Sequence, residues 1–336
     1  MTRVRPFRAT YYQQPEDSGG FADVLSPPYD VISPALQQQL YDRNPHNFVR
    51  IDYGQTQPED APGSNCYTRS AATLQEWLAE GVFATATEPG YYLHSQRFEH
   101  HGQQHSRRDL FVLCEATPFE ARQVLPHERT LDGPKADRYA LMEAVQAHLS
   151  PVFCVYQDPE QQLAQLLDTL QQQEPLFAYR DHEGIEHSVH ACSQPEAVAE
   201  IGNFFNARPL YIADGHHRYE TALAFRKAHY PQIEAAGYLC MYLSALQDPG
   251  LLVLPYHRLI RPRFVWPEHQ GLFSQLRQFF HIQKIAPDQI ENALRPAQPH
   301  EMRLAMETRE GVWVLHRNQG LPAGFASQRA SSYRNL

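Results

Sequence analysis

The sequence predicts an α+β fold, a mixed sheet with surrounding helices followed by a smaller C-terminal αβ module. Strand-type apolar runs and helical stripes both recur along the chain. Residues 91–115 carry a hairpin pattern, and residues 210–226 read as strand, break and helix in immediate succession. A hydrophobic content of 42% over 336 residues supplies core for one large or two ordinary domains.

Arg5-Pro6-Phe7-Arg8 opens the chain in extended style. In residues 26–33, Pro27-Pro28 stiffens the backbone, because neither proline fits a helix interior. Ser33-Pro34 supplies an N-cap and a first helical position, which predicts a helix through Asp42. The segment from Asn44 to Phe48 reads as a turn, leading to a strand over 48–53. Tyr67, Ala71, Leu74 and Leu78 form one stripe of a helix over 64–80, which Gly81 stops. Strands over 91–99 and 107–115 are joined through the polar residues 100–104. Residues 123–138 read as an irregular polar loop leading into a helix that ends near His148.

A strand over 151–156 and a Gln-rich helix over 160–173 follow. Two strands then flank Gly184, with a helix over 195–207 after them. Leu210-Tyr211-Ile212-Ala213 is a strand broken by Asp214-Gly215, after which Tyr219, Ala222, Leu223 and Arg226 fall at helical spacing. Strands over 237–246 and 251–254 are separated by the turn 247–250. Beyond Pro262 the pattern becomes helix (269–281), strand, helix (287–295) and two strands (301–307, 311–316). The weakest join is around 261–266, so the expected division is a core over 1–260 and a C-terminal segment over 261–336. Residues 318–336 lack periodicity, and a module that stops after two strands predicts a truncated chain or a disordered tail.

The formal net charge of −9 and the lack of a dense Lys/Arg stripe argue against a general nucleic-acid binder, though not against a local basic pocket. Cys66, Cys114, Cys154, Cys192 and Cys240 stand far apart without metal-type or redox-type spacing, which suits reduced thiols used for packing. No apolar h-region opens the sequence, and no apolar run nears the roughly 18 residues of a membrane span. The expected location is the cytoplasm.

The turn Asp214-Gly215-His216-His217-Arg218 is the strongest chemical signal. Cationic side chains in a helix's first turn oppose its dipole, whereas the turn's N–H groups favour an anion. A phosphate or carboxylate arriving there would reconcile the two. Asp214 would cap the helix or touch a metal. The plainer reading is a capped helix whose histidines contact nearby carbonyls. The second signal is the segment His127-Glu128-Arg129 through Lys135, Asp137 and Arg138, bracketed by Pro126 and Pro134. Glu128 is a candidate general base, and Lys135 and Arg138 are candidate phosphate partners. His127-Glu128 is not a zinc-protease motif, because Leu131 stands where the second histidine belongs.

Tyr29 and Asp30 would wall a ligand pocket, to which His257 and Arg258 would add a basic pair. His94, His100, His101 and His105 read as exposed residues of a hairpin tip rather than a metal cluster. No metal-ligand set is assigned from spacing.

The segments RPFR, SPPYDVIS, NPHNFVRI, LPHERTLDGPKADR, LSPVFCVY and LYIADGHHRYETAL occur in an order that resembles the bacterial family called domain of unknown function 1015. The resemblance is strong over about residues 3–260 and weak beyond. It implies a further αβ segment past this chain's end, in line with the expected truncation. The turn is also similar to the signature turn of the ParB/sulfiredoxin superfamily. Gly215, His217, Arg218 and Tyr219 match the sulfiredoxin form, while His216 replaces its reactive cysteine. The likeness implies a ParB/sulfiredoxin-like core that binds a nucleotide or phosphate, without sulfinyl chemistry.

These readings converge on an enzyme that transfers a phosphoryl group to or from a small, serine-like hydroxyl compound. Asp214, Gly215, His216, His217, Arg218, Lys135 and Arg138 would hold phosphate, with Glu128 and His217 in the chemistry and His127 in the pocket. ATP or ADP with Mg²⁺ is the expected cofactor, Asp214 or Asp30 being the candidate magnesium ligands. A non-catalytic nucleotide-binding regulator of ParB type and a phosphohydrolase stay open as alternatives. No Rossmann or Walker glycine motif fixes the nucleotide.

Overall fold

The computed structural model describes residues 2–13, 20–128, 130, 132–254, 269–295 and 301–317. Two compact units divide it, the first ending at Val253 and the second beginning at Leu254. The join expected at 261–266 lies outside the described residues.

The first unit runs β1 (Val4–Arg5), β2 (Thr10–Tyr12), α1 (Gly20–Val24), α2 (Pro34–Arg43), α3 (Val49–Asp52), α4 (Cys66–Ala79) and β3 (Phe83–Thr85). It continues with β4 (Tyr91–His100), β5 (Gln103–Glu115), β6 (Val124–Leu125), α5 (Asp132–Val145), β7 (Val152–Tyr156), α6 (Ala164–Gln171) and β8 (Phe177–Arg180). β9 (Glu186–Cys192), α7 (Pro195–Phe205), β10 (Leu210–Asp214), α8 (His216–His229) and β11 (Tyr238–Ala245) complete it. Its nine-stranded sheet has the order β6-β10-β7-β11-β5-β4-β9-β8, with β1 on the end of β5. The sheet is mixed, since β10 pairs β6 in parallel and β7 antiparallel, and β11 pairs β7 in parallel. β2 and β3 form a separate antiparallel pair.

One face of the sheet carries the main core. Leu93, Leu110, Cys154, Met241 and Leu243 are fully buried there beneath Leu163 and Leu170 beside α6 and Phe205 of α7. A second core joins α1, α4 and α5 to β2 and β3 through Phe21, Trp77, Tyr12, Phe83 and Leu141. Cys66, Cys114, Cys154 and Cys192 are buried free thiols. The hairpin closes through His101 and Gly102, both at positive φ, as a two-residue turn matched to strand twist requires.

The second unit holds α9 (His269–Leu276), β12 (His281–Ile285), α10 (Ile290–Leu294), β13 (Met302–Thr308) and β14 (Gly311–Arg317), its sheet ordered β12-β14-β13. Both helices are shorter than their patterns predict. Residues 318–336 lie outside the described residues. No helix among the described residues is long and apolar enough to cross a membrane.

The structure corrects four local expectations. Residues 48–53, read as a strand, hold helix α3: the Asn47 carboxamide accepts from the Val49 N–H (3.0 Å) and its amide anchors to the Asp23 and Leu25 carbonyls (2.7 and 3.1 Å). A local side-chain-to-backbone turn at Asn47, just before the helix, thus overrides a β-type alternation. Residues 251–254 form no strand; Val253 and Leu254 are exposed, so burial offers them no pairing partner. The helix expected from 160 begins at Ala164, because the Asp158 carboxylate captures the Gln162 and Leu163 N–H groups in a turn first. Finally, α5 begins at Asp132, so Lys135, Asp137 and Arg138 stand on a helix and not in a loop. Pro134 falls in the first turn, where a missing N–H costs no hydrogen bond.

Candidate functional site

β10 ends at Asp214 and α8 starts at His216, so a single residue makes the turn. Gly215 does so at φ 95° and ψ 29°, a left-handed conformation that side chains with a Cβ adopt at a cost. A Cβ there would also sit 3.0 Å from Arg218 Nε. The Arg218 guanidinium folds back over this space to pair with Asp214 and to donate to the Pro151 carbonyl. Asp214 does not cap the helix as expected. Gly215 occupies that position without a side-chain cap, and the carboxylate is spent on Arg218.

The two sequence motifs meet across α8. His127 donates from its Nδ1 to the Ile212 carbonyl (2.7 Å), and its backbone N–H donates to His216 Nε2 (3.2 Å). The two rings lie edge to face with centroids 4.5 Å apart. One turn along α8, Glu220 accepts from Thr130 Oγ1 (2.7 Å) and from Lys135 Nζ (3.1 Å). His216 is buried, and burial first, then His127, holds its pKa down to about 4. It is therefore a neutral acceptor at neutral pH. Glu128 is exposed, yet one ligand atom each from His127, Glu128 and His216 lie within 4.8 Å of one another.

A small solvent-open cleft of about 40 Å³ lies against the same turn, lined by Tyr29, Asp52, Arg138, Ser150 and Arg218 among others. Arg138 is buried and committed: it donates to the Asp52 carbonyl (2.8 Å), lies 3.3 Å from Asp52 Oδ1, and pairs with Asp137 at 2.7 Å. Its guanidinium carbon stands 4.0 Å from the centroid of the Tyr29 ring. Burial raises the Asp52 pKa despite the opposing charges of Arg138 and Arg218, and burial likewise raises that of Tyr29. Tyr29 thus lines the cleft, while Asp30 is exposed in the same 3-10 turn. His257 and Arg258 lie outside the described residues.

Each cation expected to meet phosphate therefore already has a carboxylate partner. Asp214 has 55% of its side chain exposed, so it can move into water and yield Arg218, whereas Asp137 is also held by the Tyr67 hydroxyl (2.8 Å). Asp52 is locked in place, its side chain 4% exposed.

The structure also corrects the reading of His94 as part of the hairpin tip. It stands mid-sheet on β4, with Nδ1 2.6 Å from the Tyr242 hydroxyl and Nε2 3.0 Å from His187 Nδ1. Tyr242 donates to Asp109 (2.5 Å), which holds Arg107 (2.8 Å), and His187 reaches Asp181 (3.1 Å). This polar chain across four strands was missed because no sequence spacing announces it. His94 and His187 occupy neighbouring strands, 93 residues apart. His101 is exposed, as expected of the tip, while His100 and His105 are half-buried.

A family model described as a protein of unknown function (DUF1015) matches residues 4–334. No curated protein matches the chain, and no solved structure does.

Proposed function

The chain belongs to the DUF1015 family, and we propose that it is an enzyme that binds a nucleotide or phosphorylated metabolite against the turn 214–218 and moves a phosphoryl group to or from a small hydroxyl compound. The observation that carries this reading is the convergence of two cationic segments, distant in sequence, on the first turn of α8, with Arg138, Arg218 and Tyr29 bordering one cleft. An arriving phosphate would take the Arg218 fork from Asp214, because two parallel charge-assisted bonds to phosphate outweigh one to an exposed carboxylate. Gly215 permits that approach by leaving the space over the turn without a Cβ.

In this reading Arg218 and His217 bind phosphate and Lys135, held by Glu220, stands by to offset developing charge. Arg138 keeps Tyr29 and the wall of the cleft in position. Glu128 is the exposed carboxylate available to take a proton from the acceptor hydroxyl. The likeness of Gly215, His217, Arg218 and Tyr219 to the sulfiredoxin turn supports a nucleotide as the phosphate source, with Mg²⁺ on its phosphate oxygens.

Phosphorus NMR of the purified protein with ATP or ADP, Mg²⁺ and serine tests the reading. A new phosphomonoester signal that disappears in Arg218→Ala supports transfer. Inorganic phosphate alone makes the protein a phosphohydrolase. Slow turnover identical in the variant removes the turn from the chemistry.

A further inference from the structure

We propose that His127, Glu128 and His216 form a binding site for one divalent transition-metal ion of the zinc class. The inference does not rest on the phosphate reading, and it assigns the Glu128 carboxylate to a metal in place of the acceptor's proton. Three potential ligand atoms within 4.8 Å of one another come from two elements, and the two histidines are 89 residues apart.

The hydrogen bonding prepares both rings as ligands. His127 gives its Nδ1–H to the Ile212 carbonyl at 2.7 Å, which fixes the tautomer and leaves the Nε2 lone pair available. Metal-bound histidines are oriented in just this way, by donating their other ring N–H to a carbonyl or carboxylate. His216 keeps its Nε2 lone pair turned toward the His127 backbone, where the bond it accepts is a long 3.2 Å that a cation would replace. Its ring is 5% exposed and is carried by the first residue of a 14-residue helix, so it cannot wander.

Glu128 supplies the negative charge and the mobility. It is exposed, and among the described residues no hydrogen bond or ion pair holds its carboxylate. Ligand atoms around tetrahedral zinc lie about 3.3 Å apart for bonds of about 2.0 Å. The set must therefore close by up to about 1.5 Å; a rotamer change of exposed Glu128 shortens its own two separations, and a small tilt of the His127 ring about its Nδ1–H bond shortens the third. Two imidazoles and one carboxylate select zinc or a similar ion over magnesium, which prefers oxygen ligands throughout. Three protein ligands beside solvent leave a fourth position for water, the arrangement of a reactive site and not of a closed structural one.

The test uses full-length protein stripped with a chelator, in buffer without phosphate or nucleotide. Zinc is titrated calorimetrically, and cobalt(II) reports geometry through its visible absorption. The expected result is one zinc per chain with an intense, tetrahedral-type cobalt spectrum. Glu128→Gln and His127→Gln, whose folding is checked by circular dichroism, should bind at least tenfold more weakly, while His101→Ala at the hairpin tip should bind as the parent does. Absence of stoichiometric zinc, or affinity unchanged in both Glu128→Gln and His127→Gln, overturns the site.

Discussion

Arg218 reaches back over Gly215 to grip Asp214, four residues before it, so the strand that ends at Asp214 and the helix that begins at His216 are tied by one ion pair across a left-handed glycine. The pair is half in water, since Arg218 is 12% exposed and Asp214 55%. It contributes little to stability for that reason, and it can be exchanged for a ligand.

Removing the carboxylate should release the arginine. Asp214→Asn is expected to bind pyrophosphate several-fold more tightly than the parent, measured by calorimetry at fixed ionic strength. Weaker binding would mean that Asp214 touches the ligand or its metal and does not merely compete with it.

Gly215→Ala should cost about 1–2 kcal/mol in a denaturant melt, from a strained positive φ. The new Cβ would also push the Arg218 guanidinium away, so phosphate affinity should fall with stability. A variant as stable as the parent would contradict the left-handed turn.

Tyr219 is fully buried, and its hydroxyl donates to the Thr117 carbonyl (2.7 Å) while accepting from the Thr117 N–H (3.2 Å). These bonds pin α8 to the loop after β5. Tyr219→Phe leaves two buried backbone groups unpaired and should cost about 1–3 kcal/mol. The measurement is the midpoint of chemical unfolding; no shift would show that the loop relaxes to new partners.

His94 should shape the acid side of the stability curve. Burial first, then His187 and Arg107, depress its pKa to about 3. Below an unfolded value near 6.5 the unfolded chain takes up a proton that the folded chain refuses until about pH 3. Stability therefore falls as pH drops through that window, by at most about 1.4 kcal/mol per pH unit from this group. The facing groups are His187 from β9 with Tyr179 of β8 stacked on it, Asp181, Tyr242 of β11, and Arg107 and Asp109 of β5. The Asp109 pKa, raised by burial, contributes in the opposite sense, and it is present in parent and variant alike. His94→Gln should flatten the slope between pH 6 and 4; an unchanged slope would assign the acid sensitivity elsewhere.

Much of the fold was legible because local chemistry agrees with it. The Ser33 hydroxyl accepts from the Leu36 N–H, as the Ser-Pro pair predicts, and Gly81 follows α4 at φ 80°. Where tertiary partners decide, sequence fails: Asn47 turns a β-like run into α3 by anchoring to the residues around α1. The site shows the same division. The two motifs could be read singly, but that His127 meets His216 and Lys135 meets Glu220 depends on β6 pairing with β10 and α5 packing on α8. Nothing in the spacing of Arg138 showed that it would be buried against Asp52.

Whether Arg218 makes the turn 214–218 a phosphate site is read out by thermal unfolding with ATP, ADP, CTP, pyrophosphate and phosphoserine, with and without Mg²⁺. A ligand present at a hundred times its dissociation constant should stabilise the parent by about 2.7 kcal/mol. At least one compound should do so, Arg218→Ala should abolish the effect, and Arg180→Ala, on an exposed pair with Glu186, should leave it intact. Equal stabilisation of the parent and Arg218→Ala, or none of the parent by any of these ligands, would contradict a phosphate site governed by Arg218.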